Sequence, residues 1–257
     1  MSQAWMIISG KGGVGKSTIT AALSVALARR QLLTVAVDTD IGLRSLDLLF
    51  GLQNRIVYDV IDVANRDCKL KYALVQYTPA PALSLLPASQ LGTSGDLNAE
   101  LMSRIVRKLK KRFSYVLMDA PAGLERGVTN TLEHTDHTLL IVTPDDVCIR
   151  DAERVIALLE QHHKPRPMLI VNRVIPEMVA AGEMYSPQTV ANTLDVPLLG
   201  YVPEDKAVLH ALNAHHTVMD EVCPARDALE RISQRFLGEY VPMPGFERRR
   251  RLFGRRG

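Results

Sequence analysis

The chain has 257 residues, 47% hydrophobic and 23% charged, a globular composition that excludes a disordered tail protein, a collagen and a coiled-coil rod. Its three cysteines form no C-x-x-C pair, which argues against a disulfide scaffold, a zinc ribbon or an iron–sulfur carrier and points to a reducing compartment. The net charge of +3 is uneven: six arginines and Glu247 give residues 246–257 a charge of +5, while the 25 basic and 27 acidic residues before them leave −2.

The first ten residues lack a basic n-region and a long apolar core, so no signal peptide is expected. No apolar run approaches bilayer length. In chain order, strands are predicted at Trp5 to Ile8, Thr34 to Val37, Leu83 to Leu86, Tyr115 to Met118, Leu139 to Val142, Met168 to Val171 and Leu198 to Val202. Most are continuous Val, Ile and Leu runs, as in strands buried on both faces of a parallel sheet. Between them, Ile19, Ala22, Leu23, Ala26 and Leu27 mark one face of a helix. Helical patterns also cover Asn98 to Lys111, Ile149 to Gln161, Pro187 to Thr193, Lys206 to Ala214 and Ala225 to Leu237. The alternation predicts an α/β fold: a single domain, residues 1–240, with a mainly parallel twisted sheet flanked by helices. Val241-Pro-Met-Pro-Gly245 breaks the composition and opens a linker and basic amphipathic tail over 241–257.

Gly10-Lys11-Gly12-Gly13-Val14-Gly15-Lys16-Ser17 fits G-x-x-x-x-G-K-[ST], after a predicted strand and before a predicted helix. The glycines let successive backbone N–H groups point at phosphate oxygens, and the helix adds its positive dipole end. Lys16 offers a cation to the β- and γ-phosphates, and Ser17 a hydroxyl to Mg²⁺. Asp38 and Asp40 end the second strand and Asp119 ends the fourth. Carboxylates at strand ends beside a phosphate loop can hold Mg²⁺ waters or orient an attacking water. Asn172 offers a donor and an acceptor to an adenine edge. It follows the Met168 strand, as Pro203, Glu204 and Asp205 follow the next. Asn172 opens no Asn-Lys-x-Asp guanine signature, so ATP is preferred over GTP.

Lys11-Gly-Gly-Val-Gly-Lys-Ser17 resembles the deviant Walker A loop of the MinD/ParA ATPases. Asp40-Ile-Gly-Leu-Arg44, Leu86-Pro-Ala-Ser-Gln90, Ala120-Pro-Ala-Gly-Leu-Glu125 and Val202-Pro-Glu-Asp205 resemble the septum-site-determining branch of that family over nearly the whole chain. Ser17 where many relatives carry Thr, Ala120 where Ser is frequent, and a shorter stretch near 162–167 depart from it. The resemblance implies a P-loop NTPase fold and a Mg²⁺-dependent ATPase, with cofactor contacts from Lys11 through Gly12, Gly13, Val14, Gly15, Lys16 and Ser17 to Thr18. It implies that Lys11 acts across a two-fold ATP dimer and pairs with Asp151 when ADP is bound. It further implies that Lys16 and Asp40 act in catalysis, Asp40 positioning the water, that Ser17, Asp38 and Asp119 serve the metal shell, and that Asn172, Pro203, Glu204 and Asp205 form the adenine pocket. It also implies a cytoplasmic protein, peripheral on the inner face of the cell membrane, attached through Phe246, Arg249, Arg250, Leu252 and Phe253. The implied partners are an ATP-dependent second copy, an anionic membrane surface, a MinC-type inhibitor of FtsZ assembly, and MinE or another topological factor. The alternatives are a ParA-type partition ATPase, which needs basic residues on the body, and an FlhG-type flagellar-number regulator, whose relatives carry an N-terminal extension. No specific nucleic-acid partner is expected.

Overall fold

The computed structural model describes residues 2–92, 97–121, 123 and 126–246. In chain order these form β1 (Gln3–Ile8), α1 (Lys16–Arg29), β2 (Thr34–Asp38), α2 (Leu46–Leu49), α3 (Val60–Asn65), α4 (Leu70–Ala73), β3 (Val75–Gln76), β4 (Leu83–Leu86), α5 (Ala99–Lys110), β5 (Tyr115–Asp119) and α6 (Arg126–Leu132). The second half forms β6 (His137–Val142), α7 (Asp146–Gln161), β7 (Met168–Val174), α8 (Pro176–Ala181), α9 (Pro187–Leu194), β8 (Leu198–Pro203), α10 (Lys206–Asn213) and α11 (Pro224–Phe236). All seven predicted strands are present. The eighth, β3, is a two-residue antiparallel edge strand on β4, too short to carry a periodic signal.

The strands form one sheet in the order β3-β4-β2-β5-β1-β6-β7-β8, parallel apart from β3. Successive side chains leave opposite faces. Val35, Val37, Val116 and Met118 therefore pack with α3 and α5, whereas Ala36 and Leu117 join the larger core with α1. The single apolar face expected of α1 understates its burial: Ala21, Val25 and Ala28 are also buried. A helix enclosed on all sides reads as apolar all round, and small residues let the sheet and α11 approach from both sides. Among the described residues no helix is long and apolar enough to cross a membrane.

Parallel order places the carboxyl ends of β1, β2, β5, β7 and β8 on one edge, where open α/β sheets bind ligands. The strand β7 runs on to Val174 rather than stopping before Asn172, but its pairing with β8 is irregular between Val171 and Val174. Arg173 there takes a left-handed φ of 57°.

The boundary expected at 240/241 is not a break in packing. Residues 241–246 dock on the domain: Arg235 Nε donates to the Val241 carbonyl at 2.8 Å, Tyr201 Oη to the Pro244 carbonyl at 3.3 Å. The Phe246 ring stacks on Tyr201 with centroids 4.9 Å apart. Beneath this strap a Cβ on Gly200 would lie 2.5 Å from Ile232 Cγ1 and 2.8 Å from Arg235 Nη1. Gly200→Ala is expected to lower stability by about 1–3 kcal/mol through overpacking, read as a lower urea midpoint at unchanged m-value.

Candidate active site

The loop between β1 and α1 is shaped by two close approaches. A Cβ on Gly10 would lie 2.5 Å from the Asp151 carbonyl oxygen of α7, and one on Gly15 2.3 Å from Asn172 Nδ2. Gly13 and Gly15 take left-handed φ values of 78° and 92°, open to glycine at little cost. Asn172 is nearly buried and its amide donates to the Val14 carbonyl at 2.7 Å. One of its two amide hydrogens is thus committed to the loop, and the other, with Oδ1, remains for a ligand.

Lys16 is buried, with Nζ 2.9 Å from Asp119 Oδ1. Thr20 Oγ1 donates to the same oxygen at 3.1 Å. The other oxygen, Asp119 Oδ2, is buried without a hydrogen-bond partner among the described residues. Such an atom is costly unless something supplies a donor or a cation. Asp38 is its register neighbour across β2 and β5. Asp38 Oδ1 accepts from Asp40 N at 3.0 Å, and Oδ2 from Ser45 N at 2.9 Å and Leu46 N at 3.0 Å. Expected in the metal shell, Asp38 here anchors the 40–46 loop. Burial, then the Asp119 charge, push its carboxyl up to about 7 against those three N–H bonds.

Asp40 is half-buried at the start of that loop, its carbonyl accepting from Leu43 N and Arg44 N. The Ser17 hydroxyl accepts from Ser45 Oγ at 3.2 Å, a neighbour that strand-end reasoning missed because Ser45 precedes only a one-turn helix. Lys11 is exposed at the mouth of the loop with Gly12 and Gly13, in a cavity shared with Thr143, Asp145 and Met184. Asp151, expected to pair with Lys11 when ADP is bound, here meets Arg154 Nη1 through Oδ1 at 3.2 Å. The lysine's charge reaches Asp145 instead. Burial raises that carboxyl, but the Thr143 hydroxyl, the Cys148 N–H and Lys11 outweigh it and hold it below the usual carboxylate range. Asp145 was missed because it also reads as an ordinary N-cap, which it is for α7.

A second cavity of 260 Å³ opens beside Gly15 and Thr18, bounded by Asn172, Pro203 and Glu204. Its apolar wall is Val208, Leu209 and Leu212 of α10 with Leu229 of α11. Sequence reasoning passed over these residues because they read as an ordinary amphipathic stripe. Asp205 is structural as well as adjacent: Oδ1 caps α10 through Ala207 N at 3.0 Å, and Oδ2 accepts from Ala225 N at the start of α11 at 3.1 Å. Of the tail residues expected at a membrane, Phe246 is described and docked, whereas Arg249, Arg250, Leu252 and Phe253 lie outside the described residues.

Glycine-shaped loop, buried lysine on a strand-end aspartate and adjacent slot define a P-loop nucleotide-binding protein of the deviant Walker A type. A model of the CobQ/CobB/MinD/ParA nucleotide-binding domain matches residues 5–218. The septum site-determining protein MinD of Helicobacter pylori is 42% identical, over 96% of this chain and 95% of its own. The MinC:MinD cell division protein complex of Aquifex aeolicus superimposes with a TM-score of 0.88 at 36% identity, over 95% of this chain and 99% of that one. MinD of Pyrococcus horikoshii, complexed with Mg-ADP, superimposes at 0.82 with 25% identity, over 92% and 96%. The chain belongs to this family, and within it to the septum-site-determining MinD branch.

Two outcomes follow from the geometry. Asn172→Ala frees the Val14 carbonyl and loosens the loop, and is expected to weaken nucleotide binding roughly tenfold, the worth of one buried hydrogen bond, by calorimetry. The folded Asp38 pKa of about 7 lies above its ordinary 3.8, so the native state keeps a proton that the unfolded chain has released. The resulting stability is full below pH 4 and is lost as pH rises to about 7. The wild-type advantage over Asp38→Asn in urea unfolding, without nucleotide, should therefore shrink across that window.

Proposed function

We propose that the chain is a Mg²⁺-dependent ATPase whose ATP-bound form is a two-fold dimer that attaches to membrane and recruits a MinC-type inhibitor to position the division septum. The reading rests most on the contrast between two lysines five positions apart in one loop: Lys16 is buried on Asp119, and Lys11 is exposed at the loop mouth. A buried cation serves the phosphates of its own site, and an exposed one is free to serve those of a second copy. The site fits ATP and Mg²⁺ by its unpartnered Asp119 Oδ2 and by a loop whose Gly13 and Gly15 take the left-handed conformation that lets successive N–H groups face phosphate oxygens.

The loop N–H groups from Lys11 to Thr18 would hold the phosphates, and Lys16 would turn from Asp119 toward them. Ser17 Oγ and Asp119 Oδ2 would face the Mg²⁺ shell, with Asp38 contributing charge and loop support. Bound Mg²⁺ supplies the positive charge that phosphoryl transfer requires. Asp40 would orient the attacking water, and Lys11 from the other copy would neutralise charge as it moves to the leaving group. The apolar face of α10 would take the adenine ring, Asn172 Oδ1 and the backbone at Pro203–Asp205 its edge.

The complex of the Aquifex relative with MinC, at 36% identity, supports a MinC-type partner, and MinE or another topological factor would set the pattern. A partition ATPase is less favoured because residues before the tail carry −2 rather than a basic surface. For the tail, three apolar side chains contribute about 1.5–3 kcal/mol each, against an ordering cost on the order of 10 kcal/mol. One tail would hold weakly, and two on one dimer would gain effective concentration. Release of Phe246 from Tyr201 adds to the cost of each attachment.

The test is ATP turnover with and without anionic vesicles, for the full chain and for a deletion of 246–257. Vesicles should stimulate the full chain only, and pelleting with vesicles should require ATP and be lost in Phe246→Glu. Equal pelleting in ADP would remove the dimer gate. In separate assays, Lys11→Ala should be monomeric in ATP by sedimentation, and Asp40→Ala should remain dimeric with turnover reduced on the order of a hundredfold or more. A Lys11→Ala dimer in ATP would exclude the trans role.

A further inference from the structure

On the outer side of the adenine-slot wall, three side chains with no part in the site above converge. His210 sits in the last turn of α10, His216 just beyond it, and Glu221 after a single 3-10 turn at Val218–Asp220. His210 Nδ1 and His216 Nε2 each lie 2.8 Å from the same oxygen, Glu221 Oε1. All candidate ligand atoms fall within 4.8 Å of one another. The two imidazoles meet nearly edge to face, with centroids 6.1 Å apart and planes at 74°.

The backbone carrying them is fixed independently of the cluster. His216 N donates to the Ala211 carbonyl at 3.1 Å and Glu221 N to the Val218 carbonyl at 3.1 Å. Arg29 clamps the turn between them, donating to the Met219 carbonyl at 2.6 Å and to Asp220 Oδ1 at 2.5 Å. Val218 and Met219 are buried in the main core. A pre-positioned pair of imidazoles and a carboxylate is the donor set of His₂Glu zinc sites, which leave the fourth position to water. The exposure of His210, 70% at its side chain, leaves room for that water.

We propose that His210, His216 and Glu221 form a binding site for a divalent transition metal, with Zn²⁺ as the best-matched ion. Nitrogen donors disfavour Mg²⁺ and Ca²⁺, which take oxygen ligands, so this site does not compete with the phosphate loop for Mg²⁺. Tetrahedral bonds of about 2.0–2.1 Å place ligand atoms about 3.3 Å apart. The 2.8 Å contacts need to open by only about half an ångström, within reach of side-chain rotation. The bound metal ties the end of α10 to the turn that leads into α11, so it would stabilise the fold through the helix that walls the adenine slot.

The experiment uses the full chain, free of any affinity tag and of nucleotide, titrated at pH 7.5 with ZnCl₂ by calorimetry and with CoCl₂ by visible absorption. One equivalent should bind, Co²⁺ should give the intense bands of a four-coordinate site, and Zn²⁺ should raise the melting temperature. His216→Ala and Glu221→Gln should each weaken Zn²⁺ binding on the order of tenfold or more and abolish the thermal shift. The exposed neighbour His215→Ala should leave both unchanged, and circular dichroism reports whether each variant is folded. Zn²⁺ binding of equal strength in wild type, His216→Ala and Glu221→Gln, or none at Zn²⁺ up to ten equivalents, would overturn the site.

Discussion

Two buried carboxylates side by side at the sheet edge, only one of them paired with a lysine, set the terms for everything around the phosphate loop. Asp38 and Asp119 are register neighbours on β2 and β5 and both are fully buried. Lys16 and Thr20 satisfy one oxygen of Asp119, and the backbone of residues 40–46 satisfies Asp38. Uncompensated charge of this kind is expensive in a low-dielectric interior, and the raised Asp38 carboxyl is its signature. On the proposed reading, a dication arriving with phosphates would relieve it and would free Lys16 for the phosphates. Part of the affinity for such a ligand would then come from relief of this buried charge. The 40–46 loop, which carries Asp40, is tied to that charge balance by its own backbone.

How much of this was legible in the sequence depends on how local the cause is. The strands were readable because burial on both faces leaves unbroken Val, Ile and Leu runs, as in Leu139–Val142. The phosphate loop was readable because backbone geometry demands glycine at Gly13 and Gly15. Gly10 and Gly200 are different: their need for hydrogen in place of a side chain comes from Asp151 and from Ile232 and Arg235, residues distant in sequence. Asn172 shows the same limit. Its residue type signalled a polar role, but that its amide is spent on Val14, 158 residues away, is a fact of packing. The helices α2, α3, α4, α6 and α8 escaped because four to seven residues hold too few turns for a 3.6-residue period to show. In α3, the capping box of Asp59 and Asp62 was the available signal.

The docked segment 241–246 changes how the tail should be viewed. From composition it is a proline-rich linker, with its two prolines unable to donate hydrogen bonds. In the fold, carbonyls of Val241, Pro242 and Pro244 accept from Arg235 and Tyr201, so the prolines lose nothing by packing. Phe246, placed by sequence at a membrane, is here on an aromatic partner. The two placements are mutually exclusive, so any attachment through Phe246 competes with a contact inside the domain.

One helix joins the cavity beside the phosphate loop to the root of the tail. Asp205, which lines the cavity beside Gly15 and Asn172, accepts from Ala225 N at the start of α11, and Arg235, in its last turn, holds Val241 and Pro242. Thirteen residues make a rod of about 20 Å. Contiguity alone is not coupling, since a signal along it requires an element with two arrangements. The helix is buried against β8 and α1 along one face, with Ala225, Ala228, Leu229, Ile232 and Phe236 in the core. Such packing resists continuous deformation. A rigid connection cannot pass a small shift at the slot to Phe246 as a change in docking energy, but it does fix the tail root relative to the phosphate loop. Pairing two loops about a two-fold axis would then set the spacing of the two tail roots. On the proposed reading, avidity from that spacing, rather than a message carried through the core, would be the means of control.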